Sequence, residues 1–427
     1  MSGFGHTRRF LVAVLLIVIL AVSIAATYIT YSTVTKPKAA PSAYIGVAFS
    51  GNTTQEAKLL IDKVKSYTNL FVFATGRNPI STNRTSIEEI CDYAVSNGMS
   101  LIVNLGWRDY NVSKQSWFWQ QPSLEDIRQN WTERWGNKFL GVYYNDEIGG
   151  VQLDSNWQEF FAKNGPLMNT IDDIRIKDMY QIYLKMLDAQ ANGTKPVNYD
   201  LEANFFTNDC VRGDQGLGIL NDAGFRTFTS DYCLYWWSYL GGYNTMFAEL
   251  GWNNSAAEQI ALVKGAARLQ NKDWGTIITW KYDQAPYLDS GDEIYNQMLS
   301  SYEAGAKYII VFDYPYLEGN SYGVLTDQHF LALQRVWNDI NNGKYVDHSA
   351  PQAVLVLPHN YGWGMRSPND TIWGFWPADS KSVQIGTAVS TLLARYGIGL
   401  DIVYEDSAYP VTTGHYQNVY YWNQTFT

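Results

Sequence analysis

The stretch FLGVYYNDEIGGVQLD, from Phe139 to Asp154, begins like a buried β-strand and ends in two adjacent acids and a Gly-Gly pair. Side chains alternate between the two faces of a strand. The side chains on one face are bulky. The second set, on the other face, is smaller and becomes polar toward the end of the strand; it consists of Gly141, Tyr143, Asn145 and Glu147. We expect this second set to face inward, with Glu147 in a binding site and Asp146 orienting it. Gly149-Gly150 indicates a tight turn.

Seven other short runs of β-branched and aromatic residues repeat this pattern, with amphipathic stretches between them. The eight predicted strands are residues 44–49, 69–74, 100–105, 139–145, 226–230, 245–249, 276–280 and 308–313. The stretches between them, such as TTQEAKLLIDKVKSY and SAAEQIALVKGAARLQ, start at Ser or Thr caps and have helical periodicity. The pattern predicts an α/β chain with a (β/α)₈ barrel over residues 44–343. Residues 197–210 are interpreted as an excursion between the fourth and fifth strands, with a ninth strand as the alternative.

A second, smaller α/β module is predicted over residues 350–427. It contains the strand AVLVLP, the helix SVQIGTAVSTLLARYG, and the strands LDIVYED and NVYYWN. One βαβ unit plus a strand is small for a doubly wound domain. We therefore expect this sheet to gain support from the barrel, from a longer chain, or from a second copy of the chain in a homo-oligomer.

The N-terminus carries an uncharged apolar run from Phe10 to Tyr31 after Arg8-Arg9, long enough to cross a bilayer as a helix. We interpret residues 1–31 as a cytoplasmic tail and transmembrane anchor and residues 32–43 as a linker. A cleaved signal peptide is the alternative, because Ser23-Ile24-Ala25 resembles a cleavage site. The interpretation places the bulk of a single-pass membrane protein outside the cell.

Two further patterns fit an extracellular location. N-x-[ST] acceptors for glycosylation lie at Asn52, Asn83, Asn111, Asn130, Asn192, Asn253, Asn369 and Asn423. Cys210 and Cys233 fall in loop-like surroundings and are the expected disulfide, whereas Cys91 falls on the apolar stripe of a helix.

Composition excludes some classes of function. The formal net charge is -10 and the chain lacks a Lys/Arg cluster, so nucleic acid is not an expected partner. The histidines His6, His329, His348, His359 and His415 all lie away from the predicted strand ends, which argues against a His-ligated metal or a Ser-His-Asp triad. No metal or cofactor is predicted, with a carboxylate-bound Ca²⁺ as the open alternative.

Acidic residues follow several of the predicted strands, where the functional groups of such barrels lie. They are Asp146 and Glu147 after the fourth strand, Asp231 after the fifth, Glu249 on the sixth, Asp283 after the seventh and Asp313 on the eighth. Converging carboxylates raise one another's pKa, and glycosidic cleavage needs one neutral acid and one ionised carboxylate. We expect Glu147 to be the general acid/base and Glu249 its partner, assisted by Asp231 and Asp146. Asp283 and Asp313 are candidates for sugar binding, with helix capping as the alternative.

Aromatic and amide side chains near the same ends suggest a carbohydrate partner, since flat rings stack on sugars and polar groups bind their hydroxyls. The candidates are Asn145, Tyr143, Trp107, Trp252, Trp280 and Tyr282.

These residues resemble the glycoside hydrolase (β/α)₈ superfamily over about residues 44–341. The resemblance is carried by FLGVYYNDE, FAELGWN and ITWKYDQ. It implies that Glu147 is the acid/base; the superfamily usually has a Glu ending the seventh strand, where this chain offers only Asp283, so Glu249 is the substitute. AVLVLPHNYGWGMR is similar to the start of the flavodoxin-like module of some β-galactosidases, and the whole chain resembles archaeal membrane-anchored surface proteins.

The sequence thus predicts a membrane-anchored extracellular glycoside hydrolase. The first alternative is a catalytically inactive barrel that binds glycans or builds the cell envelope. A second is a substrate-binding or chaperone-like surface protein that docks partners on the edge of the C-terminal sheet.

Overall fold

Eight parallel strands close into a barrel in which each strand pairs with its neighbours in sequence and β8 closes onto β1. Their bounds are β1 Tyr44–Phe49, β2 Leu70–Phe73, β3 Ser100–Asn104, β4 Phe139–Tyr143, β5 Thr227–Asp231, β6 Thr245–Leu250, β7 Asp273–Ile278 and β8 Tyr308–Phe312. All eight predicted strands are confirmed. The largest difference is at β7, which starts at Asp273 rather than residue 276, because the Asp273 carboxylate anchors the strand start to Arg226 and Lys307.

The computed structural model describes residues 43–74, 79–106, 110–111, 116–117, 123–155, 157–170, 174–191, 198–252, 254–315, 317–345, 350–412, 414 and 416–424. The predicted anchor, residues 32–42 of the predicted linker, Trp107, Asn192 and Asn253 lie outside these residues. Among the helices of the described part, none combines the length and the apolar character needed to cross a membrane.

Helices surround the barrel. The α-helices are α1 Thr54–Val64, α2 Arg84–Ser96, α3 Glu133–Trp135, α4 Ile148–Asp154, α5 Trp157–Asn164, α6 Ile174–Ala191, α7 Tyr199–Phe205, α8 Gln215–Asp222, α9 Tyr235–Gly241, α10 Ala256–Leu269, α11 Gly291–Glu303, α12 Asp327–Asn341 and α13 Ser380–Tyr396. Wider π-helical turns cover Asp126–Thr132 and Phe206–Arg212, and 3₁₀ turns cover Pro79–Thr82, Gly136–Lys138, Gly165–Thr170 and Gly397–Gly399. Residues Tyr110–Asn111 and Ser116–Trp117 form a short antiparallel pair.

Ser and Thr caps begin three of these helices, two of them the predicted caps of TTQEAKLLIDKVKSY and SAAEQIALVKGAARLQ. Thr53, Ser255 and Ser290 each accept the backbone N–H three residues on, and Thr53 forms a full capping box with Glu56. The excursion between β4 and β5 is helical where it is described, so the alternative of a ninth strand there is wrong from Tyr199 onward.

Side chains fill the inside of the barrel and form a floor below the functional end. This inner cluster contains Ala48, Leu70, Val72, Ile102, Tyr143, Phe228, Phe247, Ile277, Tyr308 and Ile310. Its rings interlock, with Phe228 and Tyr308 edge to face at 5.3 Å between centroids. The pocket described below therefore opens above this layer.

The C-terminal segment forms a three-stranded parallel sheet of β9 Ala353–Leu357, β10 Leu400–Tyr404 and β11 Asn418–Tyr421, in the order β10-β9-β11. It belongs to the same compact unit as the barrel, Ala43–Thr427. Its support is helix α10 of the barrel: a Cβ on Gly265 would overlap the Ile402 carbonyl oxygen, so only glycine lets α10 lie this close to β10. The expectation that the barrel supports the small sheet is confirmed.

A buried ion pair joins the two parts. Lys264 Nζ of α10 lies 3.1 Å from Asp401 Oδ1 of β10, with side chains only 3% and 0% exposed. Arg268 Nε donates to Asp401 Oδ2 at 2.7 Å, and Tyr416 Oη donates to the same oxygen at 3.0 Å. Removing the acid leaves the ammonium of Lys264 buried beside a neutral group.

We therefore expect Asp401→Asn to lower the free energy of unfolding by about 3 kcal/mol, because an uncompensated buried charge costs roughly 3–5 kcal/mol. Urea denaturation measures the change. Lys58→Gln, which breaks the more exposed Lys58–Glu89 pair, is the control, with an expected change below about 1 kcal/mol. Equal stability of Asp401→Asn and the wild type would show that this contact does not hold the sheet in place.

The predicted disulfide is wrong. Cys91, Cys210 and Cys233 are all buried thiols that are not joined to one another. The Cys233 thiol instead lies 3.5 Å from Asp231 Oδ1, and Cys210 is enclosed in the π-helical turn after α7. Cys91 lies on the buried face of α2, as expected.

Five predicted glycosylation acceptors are exposed: Asn52, Asn83, Asn130, Asn369 and Asn423. Asn83 also caps α2 by accepting the Ser86 N–H at 3.1 Å. Their modification, and that of Asn111, stays a prediction.

Candidate active site

The functional end of the barrel holds a pocket of about 830 Å³, counted with its open mouth. The cavity itself, without the open mouth, is about 180 Å³, which is room for a small ligand such as one sugar residue. Asp146, Glu147 and Glu249 are the acids in its lining. The rest of the lining is Ala48, Ser50, Val72, Ala74, Asn104, Gly106, Tyr143, Ser230, Phe247, Ile277, Thr279, Trp280, Phe312 and Tyr314.

Glu147 reaches this pocket through a sharp turn between β4 and α4. Asn145 has φ 61° and Glu147 has φ 48°, both in the left-handed region that costs energy for residues other than glycine. The Glu147 N–H donates to the Ser230 carbonyl at 3.0 Å, which ties the turn to β5. The prediction that Glu147 enters the mouth is confirmed, but Asp146 enters it as well, because the left-handed residues interrupt the strand alternation.

Asp231 holds this turn from behind. It is 1% exposed, and its carboxylate accepts the N–H groups of Gly149 at 2.6 Å and Gly150 at 3.0 Å. These donors lie in the first turn of α4, where unpaired N–H groups favour a carboxylate. Asp231 is absent from the pocket lining, so the assisting role predicted for it is an indirect one, as a positioning residue for Glu147.

The Gly-Gly pair has a packing role instead of the predicted loop turn. Both glycines are buried in α4. A Cβ on Gly149 would lie 2.8 Å from Asp231 Oδ2, and one on Gly150 would overlap the Tyr232 hydroxyl. Only glycine lets α4 start this close to the end of β5.

Alternation along β5 predicts that its polar residues Thr227, Thr229 and Asp231 face into the barrel, and this prediction is wrong. Phe228 and Ser230 point into the barrel, whereas Thr227, Thr229 and Asp231 point outward. The outward hydroxyls find hydrogen-bond partners on that side of the strand. Thr229 Oγ1 donates to the Asn145 carbonyl, and Thr227 Oγ1 donates to Asn244 Oδ1 at 3.0 Å. Polarity alone therefore indicates the wrong face of this strand.

Ser230, which no sequence pattern singles out, connects the acids. Its hydroxyl lies 2.5 Å from Glu249 Oε1, 2.9 Å from Asp146 Oδ1 and 2.8 Å from Tyr143 Oη. Tyr143 also donates to Asp146 Oδ1, and the carboxyls of Glu147 and Glu249 lie near enough to each other for the charge of Glu147 to act on Glu249. One chain of contacts thus runs from Asp146 through Ser230 to the Glu147–Glu249 pair.

Burial and mutual repulsion keep protons on this pair. Burial, then the charges of Asp146 and Asp231, raise the pKa of Glu147 to about 8. Burial, then the charge of Glu147, also raise the pKa of Glu249 well above its usual value, against the hydrogen bond from Ser230. Two buried carboxyls that repel one another hold at least one proton between them at neutral pH. The site therefore carries both a proton donor and an ionisable partner.

Aromatic rings flank the acids at two places. Trp280 lines the pocket, and its ring packs edge to face with Phe312 at 5.2 Å between centroids. Trp252 is 37% exposed, has φ 49°, and lies on the rim of a neighbouring pocket that Glu147 also lines. Tyr282 is 46% exposed and lines neither pocket, so its predicted binding role is not supported by its position.

Three other predicted binding residues lie outside the pocket lining. Asp313 is 3% exposed and accepts the Val324 N–H at 3.2 Å, so it holds the loop after β8. Asp283 is exposed. Asn145 is 1% exposed, and its side-chain amide finds no hydrogen-bond partner among the described residues.

Replacing Ser230 tests the contact chain. In Ser230→Ala the ionised form of Glu249 loses a hydrogen-bond donor, so the pKa of Glu249 rises. We therefore expect the acidic limb of the pH profile of kcat/KM to move to higher pH by about one unit. At a given pH on that limb, kcat/KM should fall roughly tenfold. Ser238→Ala removes another buried serine hydroxyl away from the pocket and is the control. An unshifted acidic limb in Ser230→Ala would remove this serine from the proposed chain.

Comparison with known proteins finds solved structures with a similar fold. A scan against protein-family models and a search of curated proteins both found no match. The structure of the cold-adapted β-galactosidase from Rahnella sp. R3 is similar, with a TM-score of 0.52 at 11% identity, over 90% of this chain and 67% of that chain. GH5_18 from Streptomyces cattleya in complex with GlcNAc gives a TM-score of 0.50 at 12% identity, over 90% of this chain and 99% of that one. Identities this low show the fold alone: the chain contains a (β/α)₈ barrel similar to the barrels of these two structures.

Proposed function

We propose that this protein is a glycoside hydrolase that cleaves O-glycosidic bonds with Glu147 as general acid/base and Glu249 as nucleophile. The observation that carries the proposal is that Glu147 and Glu249 line one sugar-sized pocket at the functional end of the barrel. Glu147 is the acid because it lies on the open side, where a leaving group departs. Glu249 is 3% exposed and held by Ser230, as a nucleophile below the sugar ring must be.

The proposed outcome is retention of anomeric configuration. Inverting enzymes separate their carboxyls by roughly 6.5–9.5 Å to admit a water, whereas retaining enzymes bring them to roughly 5–5.5 Å. Glu147 and Glu249 line the same pocket and interact electrostatically, which favours the shorter, retaining separation. Glu249 then bonds to the anomeric carbon while Glu147 protonates the departing oxygen, and water, deprotonated by Glu147, releases the sugar in a second step.

Hydrolysis of a panel of 4-nitrophenyl α- and β-glycosides tests the proposal. We expect at least one sugar to support turnover that Glu147→Gln reduces strongly. Binding of glycans without cleavage of any member would favour the inactive glycan-binding barrel instead.

We also propose that the hydrolase acts outside the cell and is anchored by the apolar run in residues 10–31. The run itself and the exposed N-x-[ST] acceptors support this location. Fractionation of the expressing cell tests it: we expect the protein in the membrane fraction and sensitive to protease added outside intact cells. Protein in the soluble fraction would contradict the anchor.

For the C-terminal sheet we propose a flavodoxin-like origin and a role in pairing copies of the chain. The parallel order β10-β9-β11 beside α13 supports the first, and the edge strand β11, with Tyr421 44% exposed, supports the second. Light scattering of the purified protein tests the pairing, with a dimer mass expected and a monomer mass contradicting it.

A further inference from the structure

A second pocket adjoins the active site and shares one catalytic acid with it. It has a volume of about 370 Å³, or about 660 Å³ counted with its open mouth, and its lining is Glu147, Asp154, Tyr232, Trp252, Asn254 and Arg366. Glu147 lines both pockets, whereas Glu249 lines only the first. Glu147, the proposed proton donor, thus faces both pockets, whereas Glu249, the proposed nucleophile, faces only the first.

This difference in lining indicates which part of the substrate each pocket binds. The sugar that is attacked must contact both carboxylates, because one bonds to its anomeric carbon and the other reaches its glycosidic oxygen. The group beyond that oxygen needs to pass only the acid. From this we infer that the second pocket is the site for the leaving group, an inference that rests on the function proposed above.

The walls of the second pocket are rigid and polar. Arg366 Nη1 donates to Asp154 Oδ1 at 2.7 Å, and its Nε and Nη2 each lie 2.8 Å from an oxygen of Asp370. Tyr232 Oη donates to Asp154 Oδ2 at 2.6 Å, and the Arg366 guanidinium lies 5.3 Å from the centre of the Tyr232 ring. These contacts hold the donors and acceptors in place before a ligand arrives.

Charge defines what the pocket accepts. Arg366 is its only cation among the described lining residues, and the two carboxylates of Asp154 and Asp370 already neutralise it. A phosphate or carboxylate would find no spare positive charge, so anionic ligands are disfavoured. Hydroxyl groups suit this mixture of carboxylate, amide and guanidinium edges.

Trp252 supplies the flat apolar surface that a sugar ring needs. Its left-handed backbone, φ 49°, turns it out onto the rim, where 37% of its surface stays exposed. Strained backbone conformations cluster at active sites and ligand-binding positions. We propose that this pocket binds a neutral sugar residue as the leaving group, stacked on Trp252, and that the C-terminal segment takes part in substrate binding through Arg366.

The test compares two substrates that carry the same sugar. The aryl glycoside panel first identifies that sugar, and its glycosyl fluoride is then compared with its 1→3, 1→4 and 1→6 disaccharides with glucose. Fluoride is a single atom and does not fill the second pocket, whereas glucose does. We expect Trp252→Ala to lower the ratio of kcat/KM for the disaccharide to kcat/KM for the fluoride about tenfold, since loss of a stacked ring is worth about one order of magnitude.

Each outcome bears on the inference. Tyr282→Ala removes another exposed aromatic ring that lies in neither pocket, and it should leave the ratio unchanged. An unchanged ratio in Trp252→Ala, or a wild type that hydrolyses the fluoride but none of the disaccharides, would overturn the sugar-binding pocket while leaving the hydrolase function standing. A wild type that cleaves no member of the panel would instead refute the hydrolase function on which the pocket depends.

Discussion

Glu147→Gln is expected to lower kcat/KM for a disaccharide about 10³-fold, because the amide cannot protonate the departing oxygen, a contribution of roughly 10²–10⁴-fold. The loss should depend on the leaving group. A 2,4-dinitrophenyl glycoside departs without a proton, so we expect its first step to keep a rate within about tenfold of the wild type. Steady-state and pre-steady-state kinetics on the two substrates measure this split.

The pH profile adds a second readout for this variant. The pKa of Glu147 is raised to about 8, so its proton is present below that pH and is lost above it. Activity of the wild type should therefore fall as the pH rises through about 8, and this basic limb should vanish in Glu147→Gln. Asp283→Asn, at an exposed carboxylate outside the pocket lining, serves as the control and should match the wild type. Equal losses on both leaving groups would contradict the role of Glu147 as acid.

Glu249→Ala is expected to abolish turnover, with a loss of about 10⁴-fold or more on every substrate, since removal of a nucleophile stops covalent catalysis. Unlike the acid variant, it should be equally poor with good and bad leaving groups. Sodium azide fits the space left by the side chain, and it should restore cleavage of a 2,4-dinitrophenyl glycoside and form a glycosyl azide of inverted configuration.

The azide experiment also separates a chemical role from a structural one. Glu249 is buried and bonded to Ser230, so its replacement could disturb the pocket. A misfolded variant would not be rescued by azide. Rescue that yields no glycosyl azide, or a Glu249→Ala variant that retains more than about a tenth of the wild-type rate, would contradict the assignment.

The barrel is predictable from the sequence because its signals are local and repeated. Each strand is a short β-branched or aromatic run, and several of the helices between them start at a recognisable cap, so strand number and order follow without knowledge of long-range contacts. The meeting of Glu147 and Glu249 follows from the same logic, since residues at the carboxyl ends of the strands in a closed barrel share one mouth.

The sequence misleads where a side chain's partner lies far away along the chain. Asp231 has the polarity of a catalytic acid, but its partners are the backbone N–H groups of Gly149 and Gly150, 82 and 81 positions earlier. Ser230 escapes prediction because a serine on a strand carries no distinctive pattern of its own. Both the phase of β5 and the role of Arg366 depend on tertiary contacts, which residue type and spacing do not encode.

Glu147 and Glu249 are thus proposed to act as one retaining pair, in which Glu147 donates the proton and Glu249 attacks the sugar. The most direct measurement is to trap the covalent intermediate and identify the residue that carries it. A 2-deoxy-2-fluoro glycosyl fluoride of the sugar chosen from the panel forms the intermediate quickly and releases it slowly, because fluorine at C2 destabilises the charge that develops when water attacks. Peptide mass spectrometry of the labelled protein then locates the sugar.

We expect one fluorosugar per chain, bonded to Glu249 and absent from Glu249→Ala. A label on any other carboxylate, or turnover that inverts the anomeric configuration with no trapped intermediate, would contradict the assignment of Glu249 as the nucleophile of a retaining pair.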